Sequence, residues 1–186
     1  IPSISKIIQE HYNPIIRKIR NMEKPVIAAV NGVAAGAGAS LALACDIIVA
    51  TESASFVQAF SKIGLVPDSG STFFLPRLIG IQKATALMMS AEPIYAKDAE
   101  MMGMIYKTYS DESFQRDSWD LVSKLAKMPT KGLGLTKRLL NASINNNLGN
   151  QLDMEDKCQV IAAETEDFKE GVQAFLEKRK ANFKGK

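Results

Sequence analysis

The sequence predicts an α/β protein, a strand-helix-strand layer followed by a long helical region. Three observations carry this. The apolar runs Val26–Val30 and Ile47–Ala50 are rich in β-branched residues and read as buried strands. Between them, small residues lead into an apolar helical stretch. Beyond residue 71 the apolar positions recur at helical spacing almost to the end.

Taken in order, Ile7, Ile8, Tyr12, Ile15, Ile16 and Ile19 mark a helix over Ser5–Arg20, which Pro14 is expected to break. Pro25 starts the first strand and Asn31-Gly32 turns the chain. Ala34–Ala39 is a glycine-rich turn that feeds a helix at Ser40–Ala44, ended by Asp46. A third strand is expected around Ser55–Phe60. After the loop over residues 64–72, helices are predicted over roughly 71–78, 81–90, 96–102, 112–127, 130–145, 150–166 and 167–180. Pro129 and the turn Asn145-Asn146-Asn147 punctuate the last of these. The expected division is a partial core over 1–126 and a helical region over 127–186. Two strands and a short third make a poor sheet, so further strands are expected from an N-terminal part of the core.

With 186 residues the chain suits one domain with a sizeable core and a small helical appendage. A net charge of +3 is too slight to require nucleic acid, yet would not repel a polyanionic ligand. Much of the excess lies in Lys178, Arg179, Lys180, Lys184 and Lys186, either a solvated face or an anion contact. No apolar run reaches membrane-spanning length, and no basic-plus-apolar leader precedes a cleavage site. A cytoplasmic protein with no membrane or nucleic-acid partner is expected. Cys45 and Cys158 stand far apart, with His11 the sole histidine, so no metal site and no disulfide framework are expected.

The glycine-rich turn has two readings. A helix start presents unpaired N–H groups to an anion, and small residues at 36–39 let a ligand approach. The same residues equally let a helix pack tightly on a sheet. Gly32, Gly36 and Gly38 also have the spacing of a short-chain dehydrogenase dinucleotide turn. Those enzymes carry a Tyr with Lys four positions on, and none of Tyr12, Tyr95, Tyr106 or Tyr109 has it.

Taken together, Lys24–Gly32, Gly36-Ala37-Gly38, Leu41-Ala42, Cys45-Asp46, Ala54-Ser55-Phe56, Gly64–Asp68, Leu75–Gly80 and Glu170–Phe175 resemble the signature of the crotonase (enoyl-CoA hydratase/isomerase) superfamily. Within it, Gly32–Ala39, Ala59–Lys62 and Pro67–Gly70 are most similar to the subgroup that isomerises ring epoxides of phenylacetyl-CoA. The resemblance implies a spiral of strand-strand-helix units capped by C-terminal helices that form homotrimers, often paired into hexamers. It implies an acyl-CoA substrate, with coenzyme A as part of that substrate and no permanent cofactor.

The resemblance also implies roles. The backbone N–H of Ala37 is one donor of an oxyanion hole for the thioester enolate, the other coming from an earlier loop. Gly36, Ser40, Phe60 and Leu65 line the pocket, and Phe73 and Phe74 add to a wall that excludes water. Hydratases place two glutamates at the positions of Ser40 and Phe60, so water addition has lost both acids here. Asp68 matches the single acid/base of the isomerases. Locally, Pro67-Asp68-Ser69-Gly70 also reads as a helix cap. Phe175 and Lys178 match residues that meet the CoA adenine and 3′-phosphate. Isomerisation is therefore the expected reaction, with hydration, dehalogenation or a non-catalytic scaffold as alternatives.

Overall fold

Among the first four strands of this chain, those consecutive in sequence do not pair with each other. In the computed structural model, which describes residues 3–186, β1 (Ile27–Val30) and β2 (Val33–Ala35) are separated only by Asn31-Gly32 yet enter different sheets. Helix α3 (Ala37–Ala44) follows, and the pattern repeats with β3 (Ile47–Thr51) and β4 (Ser55–Val57). β3 lies parallel to β1, with Ile27 opposite Ile47, and β4 lies parallel to β2, with Val33 opposite Ser55. Each strand-strand-helix unit thus adds one strand to each sheet, which is a spiral.

A third turn adds a strand to each sheet. β5 (Ile94–Tyr95) runs antiparallel to β4, and β6 (Lys107–Tyr109) runs parallel to β3. Here helix α6 (Ala96–Met101) lies between the two strands rather than after them. Sequence reading missed β2, β5 and β6, taking Val33–Ala35 as part of a turn. Strands of two or three residues are too short to show alternation, and their neighbours decide them.

The chain before β1 forms α1 (Ile4–Ile7), a π turn (Ile8–Tyr12) and α2 (Asn13–Asn21). Pro14 was expected to break this helix. Instead the wider π turn immediately before it relieves the clash of the proline ring, and the helix resumes. Arg20, near its end, donates to the Ala44 carbonyl at 2.9 Å and to Asp46 at 3.1 Å. Asp46 also accepts from the Val26 N–H at 2.8 Å. One carboxylate therefore ties the end of α3 to the start of β1, and Arg20 sits favourably at the negative end of the α3 dipole.

Helix α3 has no polar face. Ala39, Ser40, Ala42, Leu43 and Ala44 are all buried, while Gly38 in its first turn is exposed. Beyond β4 come a 3₁₀ turn (Ala59–Ile63), α4 (Ser71–Ile79) and α5 (Ile81–Ser90). Leu43, Phe56, Leu75, Ile79, Ile94 and Met104 interlock among alanines that let the backbones close up. Phe56 and Leu75 are 1% and 0% exposed, so truncating Leu75 to alanine would cost about 2–5 kcal/mol.

The chain divides into two compact units. The first comprises the stretch up to Arg20 and Val26–Trp119; the second comprises Asn21–Pro25 and Asp120–Lys186. The division falls inside α7 (Phe114–Ala126). The second unit contains α8 (Thr130–Ser143), α9 (Leu148–Ala163) and α10 (Glu166–Leu176). Asn147 caps α9 by accepting from the Asn150 N–H at 2.9 Å, and Thr165 caps α10 by accepting from Phe168 at 3.0 Å. Gly134 lets the 21–25 segment lie directly on α8, since a Cβ there would stand 2.8 Å from the Glu23 carbonyl oxygen. The last residues fold back on α10: Asp167 accepts from the Lys184 and Gly185 N–H groups at 2.6 and 2.8 Å.

Among the described residues neither cysteine is in a disulfide. Among the described residues no helix is long and apolar enough to cross a membrane, and no cluster of potential ligands could hold a metal ion.

Candidate active site

The turn into α3 requires glycine. Gly36 has φ +52° and ψ −121°, a conformation reserved for residues without Cβ, and its N–H donates to the Val57 carbonyl at 2.8 Å. Ala37 is therefore the first helical residue, and its N–H has no intrahelical acceptor. The positive end of the α3 dipole adds to that donor. A Cβ on Gly36 would meet the Phe60 ring at 3.9 Å, so the aromatic side chain stands directly against the turn. Leu65, 42% exposed, donates its N–H to the Phe60 carbonyl at 3.0 Å.

Ser40 packs beside this turn. It is fully enclosed, and its hydroxyl donates back to the Gly36 carbonyl at 3.2 Å. Its backbone N–H reaches the same oxygen at 3.0 Å. It braces the turn from inside the helix rather than lining an open pocket, because helical geometry aims position 40 at residue 36.

Asp68 does not cap α4. The residue before that helix is Gly70, and the cap makes no side-chain hydrogen bond. The Asp68 carboxylate instead accepts the Ser69 hydroxyl at 2.9 Å on Oδ1, while its main-chain carbonyl accepts from the Ser71 N–H at 3.0 Å. Oδ2 accepts no hydrogen bond from the described residues. Ser69 and Gly70 are both left-handed, at φ +53° and +81°. A serine in that region is strained by about 1–2 kcal/mol, so surrounding structure must hold it.

Aromatic rings pack around this loop. The Phe74 ring covers Gly70, where a Cβ would lie 2.7 Å from it, and meets Phe73 edge-on at 5.3 Å between centroids. The Arg77 guanidinium sits 3.8 Å over the Phe73 ring. Sequence reading missed the tether of this loop. The Ser71 hydroxyl donates to Oε1 of Gln58 at 2.7 Å, both residues being buried. Since Gln58 follows Val57, three hydrogen bonds join the Gly36 turn to Asp68. A polar Gln at the end of an apolar strand was the available signal.

The remaining sequence-predicted residues lie in the second unit. Phe175 is 81% exposed and shares an apolar groove of about 520 Å³ with Phe168, Val172, Leu176 and Phe183. Lys178 lies just past the end of α10 in a left-handed conformation, φ +54°, and its N–H donates to the Phe175 carbonyl at 3.2 Å. So large an exposed apolar surface suits contact with a partner or a ring. Nearby, the Arg179 guanidinium and the Asn182 N–H hold the Glu170 carboxyl down to about 2.

Chemically, the first unit presents a donor at a helix start and a carboxylate oxygen that have no hydrogen-bond partner among the described residues, together with apolar walls. Such a set can polarise a carbonyl and move a proton beside it. Over residues 2–186 the sequence matches the enoyl-CoA hydratase/isomerase family. It is 45% identical to a 1,2-epoxyphenylacetyl-CoA isomerase from Escherichia coli (strain K12), covering 100% of this chain and 71% of that protein. It is 35% identical to a trans-2-decenoyl-[acyl-carrier-protein] isomerase from Streptococcus mutans, covering 96% of this chain and 68% of that protein. The crystal structure of an enoyl-CoA hydratase from Polaromonas sp. JS666 superposes with a TM-score of 0.90 at 34% identity, over 98% of this chain and 72% of that one. The chain therefore belongs to the enoyl-CoA hydratase/isomerase family, the crotonase superfamily, and is an enzyme of that family.

Proposed function

We propose that this enzyme isomerises an acyl-CoA thioester, with Asp68 as its single acid/base and the Ala37 N–H as an oxyanion donor. The thioester carbonyl oxygen takes the Ala37 N–H. Asp68 breaks a C–H bond next to the carbonyl, carrying the proton while the electron pair moves onto oxygen as an enolate. It then returns the proton to another carbon of the same acyl group, so no atom is gained or lost. A preorganised donor of this kind contributes roughly 3–4 kcal/mol to the enolate-like transition state.

One observation carries the reading. Of the carboxylates between residues 36 and 75, Asp46 is held by Arg20 and Val26, and Glu52 is paired with Lys97 at 2.9 Å. Asp68 makes no ion pair among the described residues, and its Oδ2 accepts no hydrogen bond from them. Serine at 40 and phenylalanine at 60 leave no second acid to activate water, which favours isomerisation over hydration. The name of the 45% identical relative agrees with this.

The same reading assigns Phe175 and Lys178 to the adenine and 3′-phosphate of coenzyme A, with lysine as the phosphate's point-charge partner. It takes the first unit as the acyl site and the second as the CoA-binding and homotrimer-forming region, with trimers able to pair. Coenzyme A enters as part of the substrate.

The test is turnover of a 3-enoyl-CoA and of 1,2-epoxyphenylacetyl-CoA by wild type and Asp68→Asn. Loss of a general acid/base is expected to lower kcat by about 10²–10⁴-fold. Undiminished turnover by Asp68→Asn, or rapid hydration of a 2-enoyl-CoA by wild type, would overturn the reading.

A further inference from the structure

Gln58 is the polar group that the mechanism leaves unused. It is 4% exposed, and Oε1 accepts the hydroxyl of the fully buried Ser71 at 2.7 Å. Its Nε2 is enclosed and has no hydrogen-bond partner among the described residues. A buried hydroxyl–amide pair whose amide is satisfied on one side only is a net cost to folding compared with an apolar pair of the same shape. Stability alone would not select glutamine here.

What the amide does hold is the Asp68 loop. Ser69 and Gly70 run left-handed in succession between Asp68 and Ser71, a path that serine does not adopt unaided. Among the described residues, the Ser71–Gln58 contact is the one side-chain hydrogen bond that links residues 68–71 to another element. The Ser71 N–H in turn holds the Asp68 carbonyl at 3.0 Å. At the other end, Gln58 adjoins Val57, whose carbonyl receives the Gly36 N–H at 2.8 Å. The donor turn and the acid loop are thus registered against each other through this one side chain.

We propose that Gln58 is a positioning residue, retained to hold Asp68 in register with the Ala37 donor rather than to stabilise the fold. The inference rests on the reading of Asp68 as the acid/base. Misplacing an acid by an ångström is enough to lower a rate by up to about a hundredfold, while leaving substrate affinity alone.

The experiment compares Gln58→Met, Ser71→Ala, the double variant and each in an Asp68→Asn background, by kcat, KM and thermal midpoint on a 3-enoyl-CoA. Each single variant is expected to lower kcat about ten- to hundredfold with KM within about twofold. The melting temperature is expected to fall in each single variant, which strands a buried polar partner, and to return to the wild-type level or above in the double variant while kcat stays low, a separation of rate from stability that a merely structural role would not give. The double variant should lose no more than the worse single one, and neither change should add to the loss in Asp68→Asn. An undiminished kcat in the folded single variants, a kcat that recovers with the melting temperature in the double variant, or a further loss in the Asp68→Asn background would overturn the role of Gln58. An active Asp68→Asn enzyme would instead overturn the acid/base reading itself, so the two failures are distinguishable.

Discussion

The Gly36 N–H donates to the Val57 carbonyl at 2.8 Å, which stitches the turn before α3 to the end of β4. The donor that follows, the Ala37 N–H, is left at the head of a buried helix with nothing in its own helix to accept it. The orientation of that donor is therefore a property of the sheet edge, not of a side chain.

Ala37→Pro tests the donor directly. Proline is tolerated at the first helical position and removes only a hydrogen that the helix does not use. The expected result is a kcat lowered about 10²–10³-fold, with the thermal midpoint nearly unchanged. Steady-state kinetics on a 3-enoyl-CoA beside a melting curve would check it, and unchanged kcat would remove Ala37 from the chemistry.

Asp46 should behave in the opposite way. Asp46→Ala takes the acceptor from the Val26 N–H and the ion-pair partner from Arg20. Leaving a buried donor without its acceptor costs about 1–3 kcal/mol. Chemical denaturation should show that loss while kcat per folded molecule stays the same.

The returning tail has a defined pH response. Arg179 and the Asn182 N–H depress the Glu170 carboxyl from its ordinary 4.5 to about 2 in the fold. A carboxyl lowered by folding contributes above its unfolded value, and the contribution is lost as pH falls through the folded one. The contact of residues 179–182 with α10 is thus expected to persist at neutral pH, weaken below 4.5 and vanish near 2. A side-chain NMR titration of Glu170 reads the midpoint directly, and a midpoint near 4.5 would contradict the Arg179 contact.

Much of the site is legible in the residues. Gly36 announces itself because only glycine suits φ +52°, and the absent acids at 40 and 60 are visible as Ser40 and Phe60. For Ser40 the letter is the same whether the hydroxyl faces outward to a ligand or back to the carbonyl four residues earlier, and in the structure it bonds the Gly36 carbonyl. The local cap at Asp68 looked sound for a similar reason. Asp-Ser-Gly before a helix commonly caps it, and only the left-handed backbone at Ser69 turns the carboxylate away from the helix N–H groups.

Taken by itself, the sequence determined the α/β class, the long helices of the second half and the glycine turn at 36, while the candidate acid at 68 came from its resemblance to a family. The first three depend on periodicity and backbone sterics, which act over a few residues. Only the tertiary structure decided the two-sheet spiral, the short strands β2, β5 and β6, and the Gln58–Ser71 link. Each joins groups distant along the chain, and a two-residue strand or a buried amide acquires its partner only when packing brings that partner within hydrogen-bond reach.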